Sequence, residues 1–143
     1  PIKTEASMSN HHLKGIVEVE DTLEAYMEFT QGKDPVRASF YATTAYVSDA
    51  PVLIEIAGER GFIRVEGDTV TYQEAGEMEP VIWRSKQSLV PGKSCWGSGH
   101  EACIHDFYDC VSTEKAYRND LKSVRLTFNT MMDIYESAGS EEK

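Results

Sequence analysis

Trp96-Gly-Ser-Gly-His-Glu-Ala-Cys-Ile-His-Asp-Phe-Tyr-Asp-Cys-Val111 carries a complete helix start. Ser98 stands as an N-cap and Glu101 follows three residues on, the Ser-x-x-Glu box in which each side chain takes up a free backbone N–H. Gly97 and Gly99 let the backbone turn sharply into the helix. His100, Cys103, Ile104, Phe107, Tyr108 and Val111 then recur at offsets 0, 3, 4, 7, 8 and 11, one face of a 3.6-residue period. The chain before this stretch reads as strands and the chain after it as one more helix. The pattern predicts a sheet with this helix laid across it.

Working back from the helix, residues 81–84 form a short strand candidate, preceded by an acidic, loop-like run over 74–80. Residues 62–66 and 69–72 flank Gly67-Asp68, a two-residue hairpin turn. Residues 52–57 precede the tight turn Gly58-Glu-Arg-Gly61. Such short connections make neighbouring strands antiparallel. Ser48-Asp-Ala-Pro51 breaks the longest strand candidate, 36–47. Both faces of that run carry aromatic and small residues and almost no charge, which predicts cover on both faces. Residues 22–30 alternate, with Ala25, Met27 and Phe29 opposed to Tyr26 and Glu28. The Gln31-Gly-Lys-Asp-Pro35 turn follows, so strand is preferred to helix there. Residues 16–20 alternate apolar and acidic and predict a first strand, while 1–14 read as a polar, irregular incoming arm.

Beyond the central helix, Asn119 or Asp120 is placed to cap a second one running to about Ser137, with Leu121, Val124, Phe128, Met131, Met132 and Tyr135 on one face. Residues 139–143 form a tail. Strands first and helices later indicate an α+β fold: an open, mostly antiparallel sheet, two C-terminal helices packed on one face, and one domain over 15–138. The second sheet face then has no helix to cover it.

Composition excludes several partners. The net charge of −10 argues against nucleic acid, whose backbone needs clustered Lys and Arg. No apolar run approaches the roughly 18 residues of a membrane span. Three cysteines fit a reducing cytoplasm better than a disulfide framework. A chain starting at Pro1 is expected to be a processed product or a fragment of something longer.

No Gly-x-Gly-x-x-Gly, Gly-x-Ser-x-Gly or phosphate loop appears, so no cofactor is expected on this chain. Cys103 and Cys110 stand about 10 Å apart along a helix, too far to share an ion, so no metal is expected and buried structural cysteines are preferred. His100 lies near the positive end of a helix, which keeps an imidazole neutral and able both to donate and to accept. It suits a ligand hydroxyl; the alternative is a satisfied core or capping histidine. Trp96 lines a pocket or packs against the helix start. His12, beside His11 in the polar arm, is either solvent-facing or a ligand contact.

Several stretches together resemble the C-terminal domain of the glucose–fructose oxidoreductase/inositol dehydrogenase family. They are Glu18-Val-Glu-Asp-Thr-Leu-Glu-Ala25, Phe29-Thr-Gln-Gly32, Phe40-Tyr-Ala-Thr-Thr44 and Ile54-Glu-Ile-Ala-Gly-Glu-Arg-Gly61. Trp96-Gly-Ser-Gly-His100, His105-Asp-Phe-Tyr108 and Ile134-Tyr-Glu-Ser-Ala138 complete the set. The resemblance implies an N-terminal Rossmann domain that binds NAD or NADP, hydride transfer to or from a sugar or polyol, and a C-terminal sheet that walls the substrate site. It also implies a homodimer or higher homo-oligomer through the open sheet face. The family's Glu-Lys-Pro and its Asp-x-x-x-His helix are missing from this sequence, so no catalytic residue carries over. His100, with His12 and Trp96, is expected to bind substrate. The function expected is therefore a substrate-binding and oligomerisation domain, not catalytic alone; the alternative is a free-standing, non-enzymatic binding or assembly module.

Overall fold

The structure, a computed structural model, describes residues 1–32, 34–48, 50–84 and 99–140, without the side chains of residues 31 and 140. Its fold is α+β, with open antiparallel sheets and two helices. The elements are β1 (Lys3–Ser9), β2 (Thr22–Gln31), β3 (Asp34–Thr43), β4 (Leu53–Gly58), β5 (Gly61–Glu66), β6 (Thr69–Glu74), β7 (Val81–Arg84), α1 (His100–Ser112) and α2 (Arg125–Ser140). The strands divide between two sheets, ordered β1-β2-β3 and β4-β5-β6-β7, where the sequence reading had one. The chain correspondingly forms two compact units, Pro1–Tyr46 with Arg118–Lys143, and Val47–Tyr117.

In the first unit, alternation along β2 buries Leu23, Ala25 and Met27 and turns Glu24, Tyr26 and Glu28 to the other face. α2 contributes Ile134 and Ala138, one turn apart, and β1 contributes Ala6. Met8, Phe29 and Ala38 pack around this cluster. Three sequence expectations are corrected here. Residues 3–9 of the presumed arm are a strand, paired with β2 from Lys3↔Glu28 to Ser9↔Thr22. Residues 16–20 are not a strand but part of a loop, held because Asn10 Nδ2 donates to the carbonyls of Val17 and Val19 at 2.9 and 2.7 Å. The face of α2 that packs is Ile134–Ala138, while Leu121, Phe128, Met131 and Met132 stay exposed. α2 meets the sheet through β1, near the helix's C-terminal end, where small residues allow close approach. Asp120 does cap, though earlier than the helix proper: its Oδ1 accepts the Ser123 N–H at 2.7 Å.

β3 is also less covered than its sequence suggested. Val36, Phe40 and Tyr41 are about half exposed, and only Ala38 reaches the core. It is an edge strand of its sheet.

In the second unit the pairing is regular. Gly58↔Gly61 closes the first hairpin and Glu66↔Thr69 the second, around Gly67-Asp68. Cross-strand register puts Ile54, Val65, Val70 and Trp83 in one row and Ile56, Ile63, Tyr72 and Val81 in the next, on the same face. The opposite face carries Glu55, Arg64, Thr71 and Gln73, with Arg64 bridging Glu55 and Glu66 at 3.0 Å each. α1 follows Gly99 as its N-cap residue and buries none of its own side chains. The predicted cap Ser98 lies outside the described residues. Tyr117 folds back on α1, its hydroxyl 3.0 Å from Cys103 Sγ and its ring edge-on to Phe107. Cys103 is exposed and Cys110 partly so, which corrects the expectation of buried cysteines.

Candidate functional site

Opposite α2, the β1-β2-β3 sheet presents a polar face whose three-strand rows carry no Ala, Val, Leu, Ile or Met. Period-2 alternation fixes its members and antiparallel register aligns them in four rows of three. The rows are Lys3–Glu28–Arg37, Glu5–Tyr26–Ser39, Ser7–Glu24–Tyr41 and Ser9–Thr22–Thr43.

Side chains at both ends of this face are engaged with their neighbours. Arg37 Nε lies 3.4 Å from Glu28 Oε1, and Tyr26 donates its hydroxyl to the same carboxylate at 2.9 Å. Lys3 pairs with Glu5 at 2.8 Å. The hydrogen bond to Glu28 raises the Tyr26 hydroxyl above its ordinary pKa of 10.0, reinforced by burial and by the carboxylate charge. The hydrogen bond and charge of Glu5 raise Lys3 likewise. At the other end, Thr22 and Thr43 hydroxyls meet at 2.9 Å.

Between them lies a shallow depression of about 510 Å³, lined by Glu5, Ser7, Glu24, Tyr26, Ser39 and Tyr41 among others. That is within the roughly 300–1,000 Å³ of small-molecule sites. Two aromatic rings, two serine hydroxyls and carboxylates that only accept make a surface suited to a ligand rich in hydroxyls.

One end of the sheet is pinned by Asp21, 2% exposed. Its Oδ2 accepts the backbone N–H groups of His12 and Leu13 at 2.6 and 3.1 Å, and Thr22 donates to Oδ1 at 3.1 Å. Burial pushes this carboxyl up, but the donors of His12, Leu13, Thr22 and His11 outweigh it and hold the pKa below 3.8. Tyr135 of α2 donates to Glu20, which ties the helix to the same loop and raises the phenol above 10.0.

The residues singled out from sequence fall elsewhere. His12 has an exposed side chain in the loop between β1 and β2, with its backbone N–H engaged by Asp21. His100 is the exposed first residue of α1, in the other unit. Trp96 lies outside the described residues. Sequence reasoning missed Glu5 and Ser7 entirely, because their strand was read as an arm. The faint signal was the alternation of Ala6 and Met8 with Glu5, Ser7 and Ser9.

Among the described residues no three His, Cys, Asp or Glu side chains converge to hold a metal ion. A dinucleotide's pyrophosphate needs a glycine-rich turn from a strand into a helix N-terminus. β7 is the strand that leads to a helix, α1, and the residues between them, 85–98, lie outside the described residues. Comparison with family models, curated proteins and solved structures found no match.

Proposed function

We propose that this chain is the substrate-binding and oligomerisation domain of an NAD(P)-dependent oxidoreductase acting on a sugar or polyol, and is not catalytic alone. The observation that supports this reading is the depression on the polar face of β1-β2-β3, with Glu24 at its centre between Ser7 and Tyr41. A carboxylate accepts hydrogen bonds from adjacent ligand hydroxyls, and a tyrosine ring stacks on the apolar face of a sugar. NAD or NADP is assigned to the N-terminal Rossmann domain that the family resemblance implies. His12, His100 and Trp96 remain proposed substrate contacts on the family resemblance alone, with no part in this depression.

Titration with a panel of neutral sugars and polyols, followed by amide chemical shifts, tests the reading. Shifts should cluster on Ser7, Glu24, Tyr26, Ser39 and Tyr41 and vanish in Glu24→Gln and Tyr41→Ala. No shift with any member of the panel, or shifts that survive both substitutions, would sink it. NADH should not bind.

The second reading, a free-standing assembly module, is favoured by the eight apolar side chains on one face of β4–β7. Several of them, including Ile54, Ile56, Val81 and Trp83, are about half exposed. Such a face marks an interaction surface. Ile56→Glu should abolish self-association without loss of the sheet if that face makes the contact.

A further inference from the structure

The two edges of the β1-β2-β3 sheet are treated differently. At the β1 edge, Ser137 of α2 accepts the Ala6 N–H and donates to the Thr4 carbonyl, both at 3.1 Å. That edge is capped. At the β3 edge no strand among the described residues is paired.

The direction of the edge groups follows from alternation. Thr4 and Ala6 turn their backbone groups away from β2, so their opposites, Met27 and Ala25, turn theirs toward β3. The partners of those residues, Ala38 and Phe40, point back at β2. The Thr44 N–H, donated to the Asp21 carbonyl at 2.8 Å, has the same parity. The N–H and C=O groups of Arg37, Ser39 and Tyr41 therefore lie on the open edge.

Natural sheets blunt such edges with lysines, inward charges, bulges or prolines. β3 has Pro35 near its start and one charge, Arg37, from residue 36 to 43. It is ten residues long, and its side chains at Val36, Phe40 and Tyr41 are about half exposed.

We propose that β3 pairs antiparallel with β3 of a second copy of this chain, about a twofold axis at Ser39, making one six-stranded sheet. A register that keeps both core faces on the same side must set even-numbered residues opposite even-numbered ones. The Ser39-centred register does so and matches sizes at every step. Val36 faces the partner's Ala42, Ala38 faces the partner's Phe40, and Arg37 faces the ring of the partner's Tyr41. Moving the centre to Phe40 sets two Phe side chains against each other; moving it to Ala38 crowds Val36 against the partner's Phe40. The contact is isologous, as a closed dimer requires. It also carries the polar face across the axis, so Arg37 of one copy borders the depression of the other. The inference does not depend on the ligand proposed above.

Cysteine cross-linking of the full chain tests it, with the parent under the same oxidant as the control for native thiols. Ser39→Cys should give a covalent dimer, since opposed strand residues meet the Cα separation of a disulfide. Ala38→Cys should not exceed the parent. Ala42→Lys should convert the dimer to monomer in light scattering, with an unchanged circular dichroism spectrum. A monomeric parent overturns the proposal, and so does a dimer in which Ser39→Cys cross-links no better than Ala38→Cys. A dimer lost in Ile56→Glu but kept in Ala42→Lys places the contact on the β4–β7 face and overturns it as well.

Discussion

Asp21 shows how one side chain sets the geometry of the sheet end. The loop from β1 to β2 has little apolar packing to hold it, since Ile16 and Val19 project into solvent, and it is held by polar groups, among them Asn10 and the Tyr135–Glu20 bond. Its first part is ordered by a buried carboxylate that gathers two amides and a hydroxyl. Because these donors favour the charged form, the folded-state pKa lies below the unfolded value of 3.8. The resulting stabilisation is fully present above 3.8 and is lost as pH falls from there through the folded-state value. Acid unfolding of the first unit should therefore steepen below pH 3.8, and Asp21→Asn should flatten that slope while lowering the melting temperature at neutral pH. Circular dichroism melts across pH 2.5–7 measure both; an unchanged slope in the variant would remove Asp21 from its role. The sequence offered no reason to single out Asp21, because an Asp before a strand is ordinary; its importance lies in where the chain eight and nine residues earlier returns.

Hairpins were the most legible elements, because their turns are written in adjacent residues. Gly58-Glu-Arg-Gly61 illustrates the point: Gly61 has φ +152°, and a Cβ there would lie 2.4 Å from the Gln73 carbonyl oxygen. Gly61→Ala should cost at least about 1–3 kcal/mol from backbone conformation alone, read as a lower urea midpoint with β5 and β6 amides exchanging faster. An unshifted midpoint would refute the crowding. β1 was illegible for the opposite reason. It pairs with a strand beyond a twelve-residue connection, residues 10–21, and packs on a helix at the far end of the chain. No local pattern encodes a partner 131 residues away, as in the Ala6–Ser137 hydrogen bond. Ser137→Ala leaves the Ala6 N–H and Thr4 carbonyl unpaired at a half-buried edge, which should cost about 1 kcal/mol. Faster hydrogen exchange at Ala6 is the specific sign; protection equal to the parent would mean that water replaces the hydroxyl without loss. The alternation of the α2 sequence misled for a related reason, since its most apolar line is not the line that meets β1.

At the scale of the molecule, what could be read was class, and what could not was assembly. Counting strands and helices is enough for α+β, but a division into two sheets depends on whether 36–47 continues into the next strand, and Ser48-Asp-Ala-Pro51 states only that it stops. The polar depression was hidden because one residue in each of its rows comes from the misread β1, and side chains converge there through register, not through spacing. The apolar and uncharged surfaces, by contrast, make a common electrostatic prediction. Two copies each carrying a net charge of −10 repel one another, while the two apolar rows of the β4–β7 face carry no charge, Glu74 standing in the next row, and the β3 edge carries only Arg37 between residues 36 and 43. Attraction at either surface is thus mainly apolar and backbone hydrogen bonding, neither of which salt screens strongly, whereas the repulsion is long-range and is screened once the Debye length falls to about 8 Å near 0.15 M. Self-association should therefore tighten as sodium chloride rises from about 0.01 to 0.15 M, the reverse of a contact made by salt bridges. Sedimentation equilibrium across that range gives the constant directly, and a dimer that weakens with added salt would require a charged interface that neither surface provides.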